Sequence, residues 1–128
     1  MKRYIILLMI FCFAAVMAQN PFTQNSHDIK IKKEAEKLSR KYDKRLGMIE
    51  DQLLKFEIKV EEFMINEKKI RESDLSTKEK INALRGNYAK ETADMNDILT
   101  RPQYKLYRKL KPKFQPIDPV VVGQVETQ

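Results

Sequence analysis

Glycine is scarce in this chain, with three residues in 128, and there are only five prolines and no tryptophan. So few turn formers argue against a β-sandwich or an α/β fold, both of which need many tight turns. Histidine occurs once, at His27, in a polar stretch. One imidazole cannot supply a transition-metal site, which wants about four soft or imidazole ligands. There is also no glycine-rich phosphate loop, no nucleophile with a base beside it and no Cys–His set. The residues therefore point to no enzyme and to no cofactor. The length allows one domain and leaves little room for a cleft inside a large core.

Cysteine also occurs once, at Cys12, inside the apolar run that opens the chain. That run reads as an address. Met1-Lys2-Arg3 is basic, residues 4–15 are apolar, Val16-Met17-Ala18 offers small or apolar residues to a signal peptidase, and Gln19 begins polar sequence. This is the layout of a secretory signal peptide over residues 1–18. A membrane anchor is the alternative, but the 15 residues from Tyr4 to Ala18 fall short of the roughly 20 needed to span a bilayer. Cleavage after Ala18 leaves 110 residues, no cysteine and a formal charge of +5, against +7 for the whole chain. The expected location is periplasmic or secreted. An exported domain without a disulfide holds together by packing alone. Export also turns the basic charge away from nucleic acid and toward membranes, polymers or other proteins.

What the mature chain does have is helical periodicity. Residues 19–27 are polar and expected to be disordered. Beyond them, apolar residues recur at spacings of three and four, which places them on one face of a helix. Ile31, Ala35, Leu38, Tyr42 and Leu46 form one stripe. Ile49, Leu53, Phe56, Val60, Phe63 and Ile70 form a seam broken by Glu67; Ile81, Leu84, Tyr88, Met95 and Ile98 form another, broken by Glu91. Gly47 suits a left-handed helix end. Ser76 with Glu79, and Thr100 with Gln103, have the spacing of capping boxes, and Leu99 with Tyr104 that of a hydrophobic staple. Pro112, Pro116 and Pro119 forbid helix after residue 111. The spacing predicts four helices over about 28–46, 49–72, 77–98 and 101–111, with a disordered tail over 112–128. The fold class is all-α: an elongated four-helix protein with a long central α-hairpin turning at residues 73–76. Slender helices of this kind leave apolar stripes exposed, which predicts a homodimer.

Charge is unevenly placed. Residues 30–45 carry eight basic and three acidic side chains; residues 101–113 carry six basic and none acidic. One reading is a solvated surface with local pairs such as Glu36–Arg40, Asp51–Lys55 and Glu67–Arg71. The other is a basic docking surface of Arg101, Lys105, Arg108, Lys109 and Lys111, whose charge sets encounter rate and orientation.

Leu99-Thr100-Arg101-Pro102-Gln103 reads L-T-x-x-Q. This pentapeptide in a short exported helical protein resembles the Spy/CpxP family of periplasmic proteins, which carries the motif twice. The earlier copy here is Met48-Ile49-Glu50-Asp51-Gln52, offset by 51 residues, with Ile49 in place of the threonine and Gln52 kept. The resemblance covers about residues 31–112. It implies a cradle-shaped helical homodimer whose relatives include ATP-independent chaperones, envelope-stress regulators and metal-linked proteins.

Two functions follow as expectations. The first is a chaperone or envelope-stress protein that binds unfolded polypeptides weakly through Ile31, Leu38, Tyr42, Phe56, Phe63, Met64 and Tyr88, because methionine and aromatics adapt to varied partners. Ordinary helix packing is the competing use of the same residues. The second is a regulator or adaptor that docks on one envelope protein through its basic helices. A weaker third is membrane-surface binding through the last helix, with Tyr104, Leu106, Tyr107 and Leu110.

Overall fold

The computed structural model describes residues 28–117. The expected signal peptide, the segment 19–27 and the tail from 118 onward lie outside the described residues. Within them the chain forms α1 (Ile29–Leu46), α2 (Glu50–Glu72), α3 (Thr77–Asp94), a single 3-10 turn (Met95–Asp97) and α4 (Arg101–Phe114), with no strand among the described residues. The described residues are all-α with four helices, as the periodicity predicts. Helix α1 packs along α2, α2 pairs with α3 as a hairpin, and α4 returns to α1. At 1.5 Å rise per residue the 23-residue α2 is about 34 Å long.

Local chemistry sets the boundaries. Asp28 opens α1 by accepting the backbone N–H groups of Lys30 and Ile31 at 3.1 and 3.2 Å, and its other oxygen takes Lys68 Nζ at 2.7 Å, which ties this helix start to α2. Gly47 ends α1 at φ +60°, donating its N–H to Asp43 O at 2.8 Å. The Ser76–Glu79 box is complete: Glu79 N–H donates to Ser76 Oγ at 3.3 Å and Ser76 N–H to Glu79 Oε2 at 2.9 Å. Two boundaries differ from expectation. The third helix ends at Asp94 and tightens into the 3-10 turn. The fourth runs through Pro112 to Phe114. Proline in the last turn removes one hydrogen bond, and Pro112 itself lies exposed. Packing holds the turn instead: Phe114 meets Tyr42 edge-on at 5.0 Å, and Lys41 Nζ lies 4.2 Å from the Phe114 ring centroid.

The core centres on Tyr42. Its ring lies 5.2 Å from Phe56 and 5.3 Å from Tyr107, and Phe56 meets Tyr107 at 5.8 Å and 88°. Around them close Ala35, Leu46, Val60, Met95, Leu99 and Leu110. One chain thus encloses much of the apolar stripe without a second copy. Ser39 is buried there too, and its hydroxyl has no hydrogen-bond partner.

Candidate functional site

The two glutamines of the motif copies, 51 residues apart, meet. Gln52 Nε2 donates to Gln103 Oε1 at 2.9 Å, and Gln103 Nε2 approaches Gln52 Oε1 at 3.3 Å. Each also serves its own helix start: Ile49 N–H donates to Gln52 Oε1 at 3.2 Å, and Thr100 N–H to Gln103 Oε1 at 2.9 Å. Each then reaches the helix end that precedes the other. Gln52 Nε2 donates to Ile98 O at 3.1 Å; Gln103 Nε2 lies 3.3 Å from Leu46 O and Gly47 O. The Thr100 hydroxyl makes no capping hydrogen bond, so the capping box expected there is closed by its glutamine half alone. This is why isoleucine serves at position 49. The motif is a structural clasp joining the two halves of the chain. Leu99 is buried beside it in the core.

The residues expected to touch partners divide. Ile31, Tyr42, Phe56 and Phe63 are buried, none more than 8% exposed, so their expected role as an exposed contact surface is corrected. Phe56 and Tyr42 are enclosed by α4, and Phe63 by the hairpin. Leu38, Met64 and Tyr88 are half-buried. With an edge of Phe63, these three converge on one groove of about 250 Å³. Helix α1 supplies Leu38, α2 supplies Phe63, Met64 and Glu67, and α3 supplies Leu84, Asn87, Tyr88 and Glu91. Phe114 at the end of α4, and Gln115, Pro116 and Ile117 beyond it, form the remaining wall. Asn87 Nδ2 donates to Phe63 O at 3.1 Å and fixes α3 against α2 at the rim.

Beneath the groove lies a polar cluster that periodicity does not reveal. Glu91 is 5% exposed and Lys111 1%. Glu91 Oε1 pairs with Lys111 Nζ at 3.2 Å, and accepts from Tyr107 OH at 3.2 Å and Gln115 Nε2 at 2.9 Å. Lys111 Nζ also donates to Tyr88 O and Thr92 Oγ1, each at 2.9 Å, and lies 4.0 Å from the Tyr88 ring centroid. Tyr42 OH donates to Gln115 Oε1 at 2.8 Å. Burial pushes the Lys111 amine below its ordinary range, partly countered by Glu91. Burial first, then the Glu91 charge, raises the Tyr107 and Tyr42 phenols above theirs, and Tyr88 is raised by the same two causes. Lys111 is thus removed from the expected docking surface, because its ammonium closes the core. The seam-breaking Glu91 finds its cation on α4, while Glu67 pairs with Arg71 on its own helix at 2.8 Å, as their spacing predicts.

Arg101, Lys105, Arg108 and Lys109 are exposed. They share the outer face of α4, which contains no acidic residue and faces away from the buried Tyr107, Leu110 and Lys111. On α1, Lys30, Lys33, Lys37, Lys41 and Lys44 are exposed at spacings of three and four, on one stripe. Tyr104 and Leu106 pack partly against the core and Tyr107 and Leu110 lie within it, which leaves α4 no apolar face for a bilayer. No described helix is long and apolar enough to cross a membrane. The chain matches no protein-family model, no curated protein and no solved structure.

Proposed function

We propose that this chain is an exported, non-enzymatic binding protein of chaperone or envelope-stress type, which holds short apolar segments of unfolded polypeptides weakly. The observation that carries this reading is the groove where the half-buried Leu38, Met64 and Tyr88 converge. Its size suits a few side chains rather than a folded domain. Leucine, methionine and tyrosine present an adaptable apolar lining with polar edges. Attraction through so small a lining is weak and permits release without nucleotide. The reading places the mature chain in the periplasm or outside the cell. It includes the homodimer, although so closed a core lowers the demand for one.

The test is suppression of aggregation of an unrelated denatured protein without nucleotide. The native chain delays aggregation at a few-fold molar excess, and Met64→Glu, which puts a charge in the groove at a half-buried site, removes most of the effect with the helical circular dichroism unchanged. No effect of the native chain refutes the reading.

A second reading, docking on one envelope protein, is favoured by the exposed Arg101, Lys105, Arg108 and Lys109 on a face without acidic residues. It predicts one dominant partner in envelope extracts, lost when Arg108 and Lys109 are both changed to Glu. Lys111 is left out of that test because its reversal disrupts the core.

A further inference from the structure

One wall of the groove is the protein's own chain. After α4, Gln115 is held from two sides, by Tyr42 OH and by Glu91 Oε1, and Pro116 and Ile117 then run along the groove. Ile117 is still 48% exposed there. The sequence continues Asp118-Pro119-Val120-Val121-Val122-Gly123-Gln124-Val125-Glu126-Thr127-Gln128, and this stretch holds four of the six valines of the whole chain.

We propose that residues 118–125 occupy the open part of this groove in the free protein, with the valines against the half-buried Leu38 and Met64, so that a captured polypeptide must displace the chain's own tail. The direct chemistry is apolar burial of a short extended strand. Pro116 and Pro119 favour that conformation, since each fixes its own φ and biases the preceding residue away from helix. Charge agrees. The tail carries Asp118 and Glu126 and no cation, and Leu38 is flanked on α1 by the exposed Lys37 and Lys41. The groove's own carboxylates are already engaged, Glu67 with Arg71 and Glu91 with Lys111.

Tethering makes a weak contact count. A segment joined by a short linker faces its site at an effective concentration on the order of 1 mM. A tail whose free peptide binds with a Kd of about 0.1 mM is then in place roughly nine-tenths of the time. It weakens the apparent affinity for an outside segment about tenfold. This consequence rests on client capture at the groove; the docking of the tail does not.

The experiment compares the chain from Gln19 to Gln128 with one ending at Ile117, both carrying labelled methionine and leucine methyl groups. Docking predicts that truncation shifts the Met64 and Leu38 methyl resonances. It also predicts that a synthetic peptide of residues 118–128 moves them back, and that replacing Val120, Val121 and Val122 together by Ser reproduces the truncation. Unchanged methyl resonances overturn the proposal. So do shifts that depend on protein concentration, because the tail of a second copy then fills the groove. Binding of a reduced and alkylated unfolded polypeptide is measured alongside. A roughly tenfold gain on truncation supports both readings. Methyl shifts without that gain keep the tail in the groove and refute client capture there.

Discussion

Replacing Lys111 by Met tests whether the buried pair organises the molecule. Methionine keeps most of the length of the lysine stem and removes only the ammonium, so packing changes little. The ammonium now makes an ion pair at 3.2 Å, two hydrogen bonds at 2.9 Å and a ring contact at 4.0 Å, with 1% of the residue exposed. Without it, Glu91 keeps Tyr107 OH and the Gln115 amide but stands charged and buried with no counter-ion. Breaking a buried pair in this way costs about 3–5 kcal/mol. In a domain of this size that is a fall in Tm on the order of 15 °C or more. The partner variant Glu91→Gln strands the ammonium and costs a similar amount. The double variant removes both charges, so it recovers at least about 2 kcal/mol of the summed loss, the mark of two groups in contact. Urea unfolding followed by circular dichroism at 222 nm measures all four proteins. A Lys111→Met variant that stays within about 0.5 kcal/mol of the native chain, as Lys109→Met on the solvent face is expected to, refutes an organising role for the pair.

Three further outcomes follow from the geometry. Gln103→Ala orphans Thr100 N–H and removes the donor facing Leu46 O and Gly47 O, and costs about 1–3 kcal/mol; combined with Gln52→Ala in urea melts, the total falls short of the sum, whereas strict additivity denies the clasp. Ser39→Ala removes a buried hydroxyl that has no partner and raises stability by about 1 kcal/mol, and a loss of that size in the same melts contradicts the packing. Alkaline titration unfolds the chain: Tyr42, Tyr88 and Tyr107 are raised above the ordinary phenol value, so the stability they contribute is fully present below pH 10 and is lost as pH climbs beyond it. Tyrosinate absorbance at 295 nm rises together with the loss of helix, and full ionisation in a still-helical protein near pH 10 contradicts their burial.

The fold was readable because its signals are local. Spacings of three and four locate the helices, Gly47 ends the first, and Ser76 with Glu79 starts the third, each through chemistry confined to a few neighbours. Partner choice between helices was not readable. Periodicity puts Phe56, Phe63 and Tyr42 on apolar stripes but does not say that α4 and the hairpin cover them. Glu91 reads as a break in a seam and Lys111 as one more surface cation, because their pairing joins residues 20 apart in sequence through a turn whose direction no local rule fixes. Pro112 misleads for a related reason, since the contact of Phe114 with Tyr42 outweighs its missing hydrogen bond. The Gln52–Gln103 clasp sits between these cases. The repeat of 51 residues announces two equivalent helix starts, and only the folded chain shows that the two amides face each other. Of the expected contact residues, Met64 lies off the seam spacing, and it faces the groove.

Methyl chemical-shift mapping of the chain from Gln19 to Gln128, as a denatured polypeptide is titrated in, tests capture at the groove most directly. Capture at the groove predicts that the half-buried Leu38 and Met64 shift while Leu46, Val60 and Leu110, enclosed in the core, hold their positions. Shifts spread through the core methyls, or confined to residues along the outer face of α4 with the groove silent, contradict it.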